Sequence, residues 1–345
     1  MKTRVYLTID TECREERPLP AGLQPLAGYD ARIWGRFVNQ RRELGIRLLM
    51  HHFEAAGLRA TFYLDPFSSL HFGAEGLAEI VGEIRQRGHD VQLHAHPVQR
   101  HPDWHSRDIT PPSDDMADYS VEEQTALLEE GMDLLVAAGV PREDLVSFRA
   151  GNFGSNNDTW RAMAKAGLAL SSNYNPCYAD KGMKMHQAGP AEQLFDTQEG
   201  VWELPITTIR EPSGAPRHLQ ITALSLLEMA DALLQAHRSG ASEVTIVTHS
   251  FEIYHLDEAD PPRGRLNHIN FFRLWGLCRF LAKNSHKFEV ETTADLVRRL
   301  RAQDTTVATP VPLPLRGRRA LRYLRFAEQA FKRIEKKLVV HSPFA

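Results

Sequence analysis

Cysteine is scarce in this sequence of 345 residues, which contains only Cys13, Cys177 and Cys278. Three scattered thiols exclude a disulfide framework and a zinc knuckle, and they favour a reducing compartment. Long apolar runs are also missing, since no stretch approaches the ~18 residues of a membrane-spanning helix. The start of the chain has no signal-peptide core. We therefore expect a cytoplasmic protein.

A net positive charge is found only near the C-terminal end of the chain. The net charge is −3, but residues 316–337 contain nine basic and two acidic residues and carry +7, which leaves −10 elsewhere. An acidic body repels phosphates, which argues against an enzyme of nucleic acids. With 42% hydrophobic and 25% charged residues, the composition is that of a globular protein.

Short β-rich segments alternate with longer helical ones along the chain. This alternation predicts an α/β fold with parallel strands, either a barrel or a doubly wound sheet of seven or eight strands. A helix is predicted over 41–57, and Ser120 with Glu123 predicts a capping box for a later one. The uncharged, Pro-containing segment 305–315 predicts a linker. We therefore divide the chain into a barrel, 1–304, and a tail, 305–345.

Two histidines stand one residue apart in the segment DVQLHAHP, 90–97. In a strand, His94 and His96 point to the same face, and Pro97 ends the ladder because it has no amide proton. Two imidazoles that converge on one point suit a transition metal. The alternative is that both are polar-face residues without a ligand. The choice depends on which other groups lie nearby.

Polar side chains also end other predicted strands. In a parallel barrel, the chemistry lies at the C-terminal ends of the strands. Any one of these residues could simply cap a turn, but together they indicate a site. The set is Asp10, Glu12, His94, His96, Arg149 and His249.

These residue types predict distinct roles. Glu12, His94 and His96 form a two-histidine, one-carboxylate metal triad with positions left for water and substrate. Asp10, two residues before Glu12, can act as the general base. Arg149 can pair with Asp10 and favour its charged form. His249 comes from a distant strand and can act as the general acid across the cleft.

The order of five motifs resembles the polysaccharide deacetylase family, also called carbohydrate esterase family 4. The motifs are LTIDTE, ATFYL, RGHDVQLHAHP, FRAGNF and IVTHS. The resemblance covers about residues 3–300 and is strongest to branches that act on bacterial cell-surface glycans. It implies a distorted (β/α)7-type barrel, the NodB-homology fold, followed here by a basic helical tail.

Two positions depart from the family pattern. The family usually spaces its metal-binding histidines four residues apart, and here His94 and His96 are two apart. In strict register the second ligand would be Val98, which cannot bind metal, so we interpret HAHP as a shortened motif with His101 as the alternative ligand. Glu12 also stands where most members have Asp directly after the base.

The resemblance implies hydrolysis of the amide of an N-acetyl sugar, with one divalent ion, most simply Zn²⁺, polarising the carbonyl. It leaves open whether the sugar is polymeric, lipid-linked or nucleotide-linked. Backbone amides near Asn152 and Phe153 are candidates for holding the oxyanion. Aromatic residues that could stack on the sugar are Trp104, Tyr174, Trp202 and Tyr254, although each could equally belong to the core.

Three alternatives come from other protein classes. An amidohydrolase-type barrel also uses a His-x-His strand, but on its first strand. Non-haem iron oxygenases use the same ligand types on antiparallel folds. The third is a catalytically silent carbohydrate-binding protein on the deacetylase fold. The intact Asp10, Arg149 and His249 argue against it, and the histidine spacing argues for it.

The tail contains an apolar stripe at steps of three and four, typical of one helix face. It consists of Leu321, Leu324, Ala327, Phe331, Ile334 and Leu338. We expect the stripe either to dock on the acidic barrel or a second copy, or to bind an anionic membrane surface.

Overall fold

The structure is a computed structural model of the chain. It describes residues 2–14, 17–19, 22–24, 27–100, 112–179, 181–187, 191–257, 261–302, 313 and 315–340. Side chains are described within these ranges except at 17–19, 22–24, 257 and 336–340. The predicted residues Trp104 and His101 lie outside the described residues.

The strands alternate with helices along most of the chain. The strands are β1 (Thr3–Thr11), β2 (Arg17–Leu19), β3 (Gly22–Gln24), β4 (Thr61–Leu64), β5 (Asp90–Ala95), β6 (Ser147–Ala150), β7 (Leu170–Ser171), β8 (Phe195–Asp196), β9 (Trp202–Glu203), β10 (Thr208–Arg210), β11 (Pro216–His218), β12 (Glu243–His249), β13 (Tyr254–Asp257), β14 (Arg263–Leu266) and β15 (Phe288–Glu291). The α-helices are α1 (Ile46–Ala55), α2 (Ser69–Phe72), α3 (Ala74–Gln86), α4 (Val121–Ala137), α5 (Asn157–Lys165), α6 (Leu226–Arg238), α7 (His268–Lys283), α8 (Thr293–Arg301) and α9 (Arg319–Val340).

One curled sheet positions the site. Its strand order is β12-β1-β4-β5-β6-β7-β9-β8, and every pair is parallel except β8 with β9. Beyond β9 the chain passes β12, where the amide of Thr207 donates to Thr245 O at 3.3 Å. The predicted distorted barrel is confirmed, since the parallel sheet curls back toward its own first edge.

Strand β1 is central because both of its edges are paired along their length. One edge pairs with β12, while the other pairs with β15 over Thr3–Tyr6 and with β4 over Thr8–Thr11. Strands covered on both faces have continuous apolar sequences, and VYLTI in β1 is buried throughout. The end of β1 is therefore held rigidly among its neighbours.

Two predicted helices illustrate how local sequence and packing compete. The capping box of α4 is confirmed: the Ser120 amide donates to Glu123 at 2.8 Å and the Glu123 amide donates to Ser120 Oγ at 3.3 Å. The helix predicted from residue 41 begins only at Ile46. Its start is displaced because the amides of Leu44 and Gly45 donate to Gly35 O at 3.1 Å and to Trp34 O at 2.9 Å, which ties these residues to the preceding turn.

Helix α8 was not predicted, and it closes the N-terminal end of the barrel. Leu296, Val297 and Leu300 form a second buried cluster with residues such as Tyr6 and Leu170. The charged sequence of α8 hides this role, because only one narrow face is apolar.

The tail is attached to the barrel, but not by its apolar stripe. Leu313 and Leu315 are buried, and α9 then lies against α6 and β13. Charged side chains make these contacts: Arg325 lies 3.7 Å from Glu228 on α6, and Glu335 lies 3.4 Å from His255 on β13. The expectation that the stripe itself docks on the barrel is wrong, because Leu324, Phe331 and Ile334 are exposed. The side chain of Leu338 lies outside the described part. The division at residue 304 stays a prediction. None of the helices in the described residues is both long and apolar enough to cross a bilayer.

Candidate metal centre and acid–base site

The predicted site residues meet in one row at the C-terminal edge of the sheet. Strand register pairs Asp10 with His249 on one side and with Tyr63 on the other. It also pairs His94 with Arg149. Because parallel strands end at a common edge, residues more than 200 positions apart become neighbours.

Glu12, His94 and His96 converge on one point. His94 Nε2 and His96 Nε2 lie 3.0 and 2.8 Å from Glu12 Oε2. This is the only set of three potential ligand side chains within 4.8 Å of one another in the described residues, which exclude 101–111. Ligands of a tetrahedral zinc ion lie about 3.3 Å apart at ordinary bond lengths. If the three side chains moved apart by a few tenths of an ångström, the ion would therefore fit between them.

The outer ring nitrogens of both histidines have partners that orient them. His94 Nδ1 lies 2.8 Å from Arg149 O, and His96 Nδ1 lies 2.8 Å from Asp114 Oδ2. Asp114 also accepts from the side-chain amide of Asn152 at 2.7 Å. Such outer contacts direct Nε2 toward a metal and raise its basicity. Asp114 was missed because it reaches His96 across a loop, without a local sequence signal.

The turn after β6 is shaped around His96. A Cβ at Gly151 would lie 2.5 Å from the His96 ring, so only glycine fits. Asn152 and Phe153 follow with φ of 54° and 53°, a conformation that side chains other than glycine rarely adopt. The strained turn thus lies beside the metal triad, where Asn152 and Phe153 were predicted to bind an oxyanion.

The electrostatics of the triad are those of a cation site. Burial alone would raise the pKa of Glu12, but His96 and the hydrogen bonds from both histidines hold it well below its usual value. Burial alone would lower the pKa of His96, but Asp114 and Glu12 raise it well above its usual value. Proton and metal compete for these nitrogens. The donor types, their convergence and their oriented rings all fit a divalent ion.

Asp10 and Arg149 form a buried pair beside the triad. Arg149 Nη1 lies 2.6 Å from Asp10 Oδ1, and the two side chains are 0% and 3% exposed. Ser172 holds the guanidinium from behind by accepting from Nε at its backbone oxygen, 3.2 Å, and from Nη2 at its hydroxyl, 2.9 Å. The predicted pairing is present, and it leaves Asp10 Oδ2 directed toward His249 Nε2 at 3.9 Å.

His249 has a carboxylate partner that was not predicted. Its Nδ1 lies 2.8 Å from Glu252 Oε1, and Glu252 also accepts from Thr248 Oγ1 at 2.7 Å and from Gln220. Burial alone would lower the pKa of His249, but Glu252, Glu12 and Asp10 raise it to about 9. The sequence did offer a signal for this partner, because Glu252 follows His249, at the end of its strand, by three positions.

Arg32 and Phe251 form one wall of the site and were also missed. The Arg32 guanidinium stacks 3.3 Å from the centre of the Phe251 ring, and its Nη2 lies 3.6 Å from Glu12 Oε1. Phe251 in turn packs on His249, with ring centres 5.2 Å apart. Arg32 therefore neutralises the Glu12 oxygen that faces away from the histidines.

Most of the aromatic residues predicted to stack on the sugar do not line this site. Tyr254 is wrong for this role, because its ring is buried and its hydroxyl donates to Ala31 O at 2.8 Å. Trp202 packs on the α8 cluster at the other end of the barrel, so it too is wrong. Tyr174 packs against Phe195 beside a separate groove.

A different aromatic wall lies near the acid–base pair. Tyr178 packs on Phe153 at 5.0 Å and stacks on His218 at 6.1 Å. The Arg149 guanidinium lies 5.8 Å from the centre of the Phe153 ring, which places this wall beside the Asp10–Arg149 pair. Phe153 thus belongs to the site, whereas Tyr178 was missed because its loop gives no periodic signal.

Comparison with solved structures shows a shared fold. A candidate polysaccharide deacetylase from Mycobacterium smegmatis has a TM-score of 0.53 at 16% identity, over 90% of this chain and 94% of that one. A 4-α-glucanotransferase from Thermococcus litoralis has a TM-score of 0.52 at 12% sequence identity, and the match covers 99% of this chain and 48% of that one. Puue allantoinase has a TM-score of 0.50 at 12% sequence identity, and the match covers 87% of this chain and 90% of that one. No family model matches the sequence, and no curated protein matches it significantly.

Proposed function

We propose that this chain is a metal-dependent hydrolase that removes the acetyl group from an N-acetylated sugar of a bacterial cell-surface glycan or its precursor. The observation that carries the proposal is the meeting of a metal-ligand triad and two carboxylate-containing ion pairs at one edge of the sheet. Those pairs are Asp10 with Arg149 and His249 with Glu252. The fold shared with a candidate deacetylase supports it.

Glu12, His94 and His96 would hold the ion, and their donor set favours zinc. A zinc ion supplies Lewis acidity that polarises the acetamide carbonyl and makes a water more acidic. Arg32 keeps the second oxygen of Glu12 neutralised at 3.6 Å, so Oε2 is the atom presented with the two imidazoles.

Asp10 acts as the general base. Its Oδ1 is held by Arg149, so Oδ2 is the atom that removes a proton from the water attacking the carbonyl carbon. Backbone amides at Asn152 and Phe153 would stabilise the negative oxygen that develops; the strained turn they form beside His96 supports this role. The wall of Phe153 and Tyr178 offers an apolar ring face to the sugar.

His249 acts as the general acid. Its raised pKa keeps the imidazole protonated near neutral pH, and Nε2 gives that proton to the sugar nitrogen as the C–N bond breaks. Acetate and a free amine leave. Glu252 at Nδ1 orients the ring and balances the charge.

Acetate release from N-acetylated sugars tests the proposal. Protein purified without added metal is compared with a His94→Ala, His96→Ala variant by elemental analysis, and both are assayed after zinc addition. We expect about one ion in the parent protein, background metal in the variant and turnover only in the parent. Equal metal content in the parent and the variant would show that the triad does not bind the metal. Full metal content with no turnover on monomeric, polymeric, lipid-linked and nucleotide-linked substrates would remove deacetylation.

A second candidate is hydrolysis of an amide outside sugars, since the fold is shared with a protein named as an allantoinase. Allantoin in the same assay separates the two. A silent carbohydrate-binding protein would bind N-acetyl sugars saturably with no product. The intact acid and base pairs oppose it. Placement in the cytoplasm remains part of the proposal and is supported by three free thiols.

A further inference from the structure

Helix α9 docks on the barrel with its charged face inward. The residues that contact the body recur at steps of three and four: Arg325, Glu328, Lys332 and Glu335. Arg325 is 1% exposed and binds Glu211 and Ala223 O. Glu328 accepts from Arg273 at 3.0 Å, and Glu335 lies 2.5 Å from His268.

The outward side of the same helix is apolar. Five large side chains there are exposed by 40–72%, namely Tyr323, Leu324, Phe326, Phe331 and Ile334. A helix on the surface of a globular protein normally has the reverse arrangement, with apolar residues inward and charges outward. We call these five residues the outer stripe. Their exposure requires an explanation that docking of the helix does not supply.

Basic side chains flank the outer stripe. Arg319 and Arg333 are exposed. Arg319 and Arg322 line an open groove of about 430 Å³ with Tyr323, Phe326, Pro212 and Ser213. Two guanidinium groups beside two aromatic rings provide charge for a phosphate and apolar surface for the chain attached to it.

Charge decides which partner fits this face. A second copy packed stripe to stripe would bring the arginines of two helices together, and like charges oppose that contact. An anionic membrane offers both an apolar layer and opposite charge. The rest of the chain carries −10 and is repelled by such a surface, so approach through α9 is favoured.

We propose that α9 binds the protein to membrane surfaces that contain anionic phospholipid. The outer stripe enters the boundary between head groups and acyl chains, and the groove of Arg319 and Arg322 takes a lipid phosphate. The helix lies in the interface, anchored to the barrel by its own buried charges. This inference concerns location and does not depend on the reaction proposed above.

Vesicle flotation of the full-length protein tests the proposal. We expect binding to phosphatidylcholine vesicles that contain phosphatidylserine, little binding to phosphatidylcholine alone, and release by salt. Phe331→Ser with Ile334→Ser should weaken binding at least tenfold. The matched control is Val38→Ser with Leu70→Ser, since these residues are also exposed and apolar, and it should bind like the parent.

The arginines give a second, graded test. Arg319→Gln and Arg333→Gln should each weaken binding by about fivefold, the contribution of one basic residue near an anionic surface, whereas Arg142→Gln should not. Equal binding to neutral and anionic vesicles, or no flotation of the parent protein, overturns the proposal. A dimer in sedimentation that the Phe331→Ser, Ile334→Ser variant loses, without flotation, would assign the stripe to a second copy instead.

Discussion

Two regions of the molecule bury an ion pair and use it differently. At the strand ends, Asp10 and Arg149 are 3% and 0% exposed, and Asp10 Oδ2 still faces His249. Under helix α9, Glu211 and Arg325 are 8% and 1% exposed. There the guanidinium also donates to Ala223 O, and the carboxylate also accepts from Arg217 at 2.7 Å.

The difference is whether one partner keeps an atom for a ligand. Burying charges costs several kcal/mol per ion, and attraction within the pair offsets that cost only with good geometry. In the Asp10 pair, Arg149 holds Oδ1, while Oδ2 faces His249 Nε2 at 3.9 Å and can meet a ligand in the cleft. In the Glu211 pair, the carboxylate is shared by Arg325 and Arg217 and the guanidinium also donates to Ala223 O, so the pair fixes how α9 lies. Similar burial therefore indicates chemistry in one place and attachment in the other.

The largest expected effect is on catalysis by the first pair. Asp10→Asn should lower the rate of amide hydrolysis by about 100- to 10,000-fold, because an amide cannot take the proton of the attacking water. Elemental analysis should find the metal retained. The matched Glu211→Gln change should leave kcat unaltered. An Asp10→Asn variant that hydrolyses N-acetyl sugars at the parent rate would assign the base elsewhere.

The second pair should affect stability instead. Arg325→Met should reduce the free energy of unfolding by about 3 kcal/mol, the lower end of the range for a broken buried pair, because Arg217 still donates to Glu211. Urea unfolding measures this. Adding Glu211→Gln should recover part of the loss, since the carboxylate charge of Glu211 that lost Arg325 is then removed, whereas Glu228 stays without Arg325. An Arg325→Met variant with the free energy of unfolding of the parent protein would show that α9 is held by other contacts.

A smaller effect is expected at the outer partner of the metal triad. Asp114→Asn should weaken zinc affinity by about 10- to 100-fold, because His96 loses the carboxylate that orients it and raises its basicity. Titration against a chromophoric chelator measures the affinity. Asp118→Asn is the control, since Asp118 pairs with the exposed Lys184. Equal affinities for the two variants would contradict the assigned role.

The smallest predicted change is a shift of the pH profile. His249 must be protonated to act as an acid, so activity should fall as pH rises through its pKa. Glu252→Gln removes the charge that raises this pKa, and the alkaline limb of kcat should move to lower pH by about one unit. A limb that stays in place would mean that another group donates the proton.

The site was predictable where local pattern and parallel topology were enough. Period two places His94 and His96 on one face, and strands that end at a common edge bring Asp10 and His249 together. The same reasoning could have predicted Glu252, which lies three residues after His249 at the same strand end. Asp114 and Arg32 were not, because loops deliver them from segments without periodicity. Tyr254 was assigned wrongly, because packing against Phe37 decides that its ring turns into the core.

Helix α9 shows the limit most clearly. Its sequence specifies a helix with one apolar and one charged face, since 3.6-residue periodicity is a local property. The choice of which face meets the barrel depends on Glu211, after β10, and on His268 and Arg273, both on α7. These two segments lie far from α9 in sequence. Only the assembled fold brings those charges under the helix, and pairing with them turns the apolar face outward.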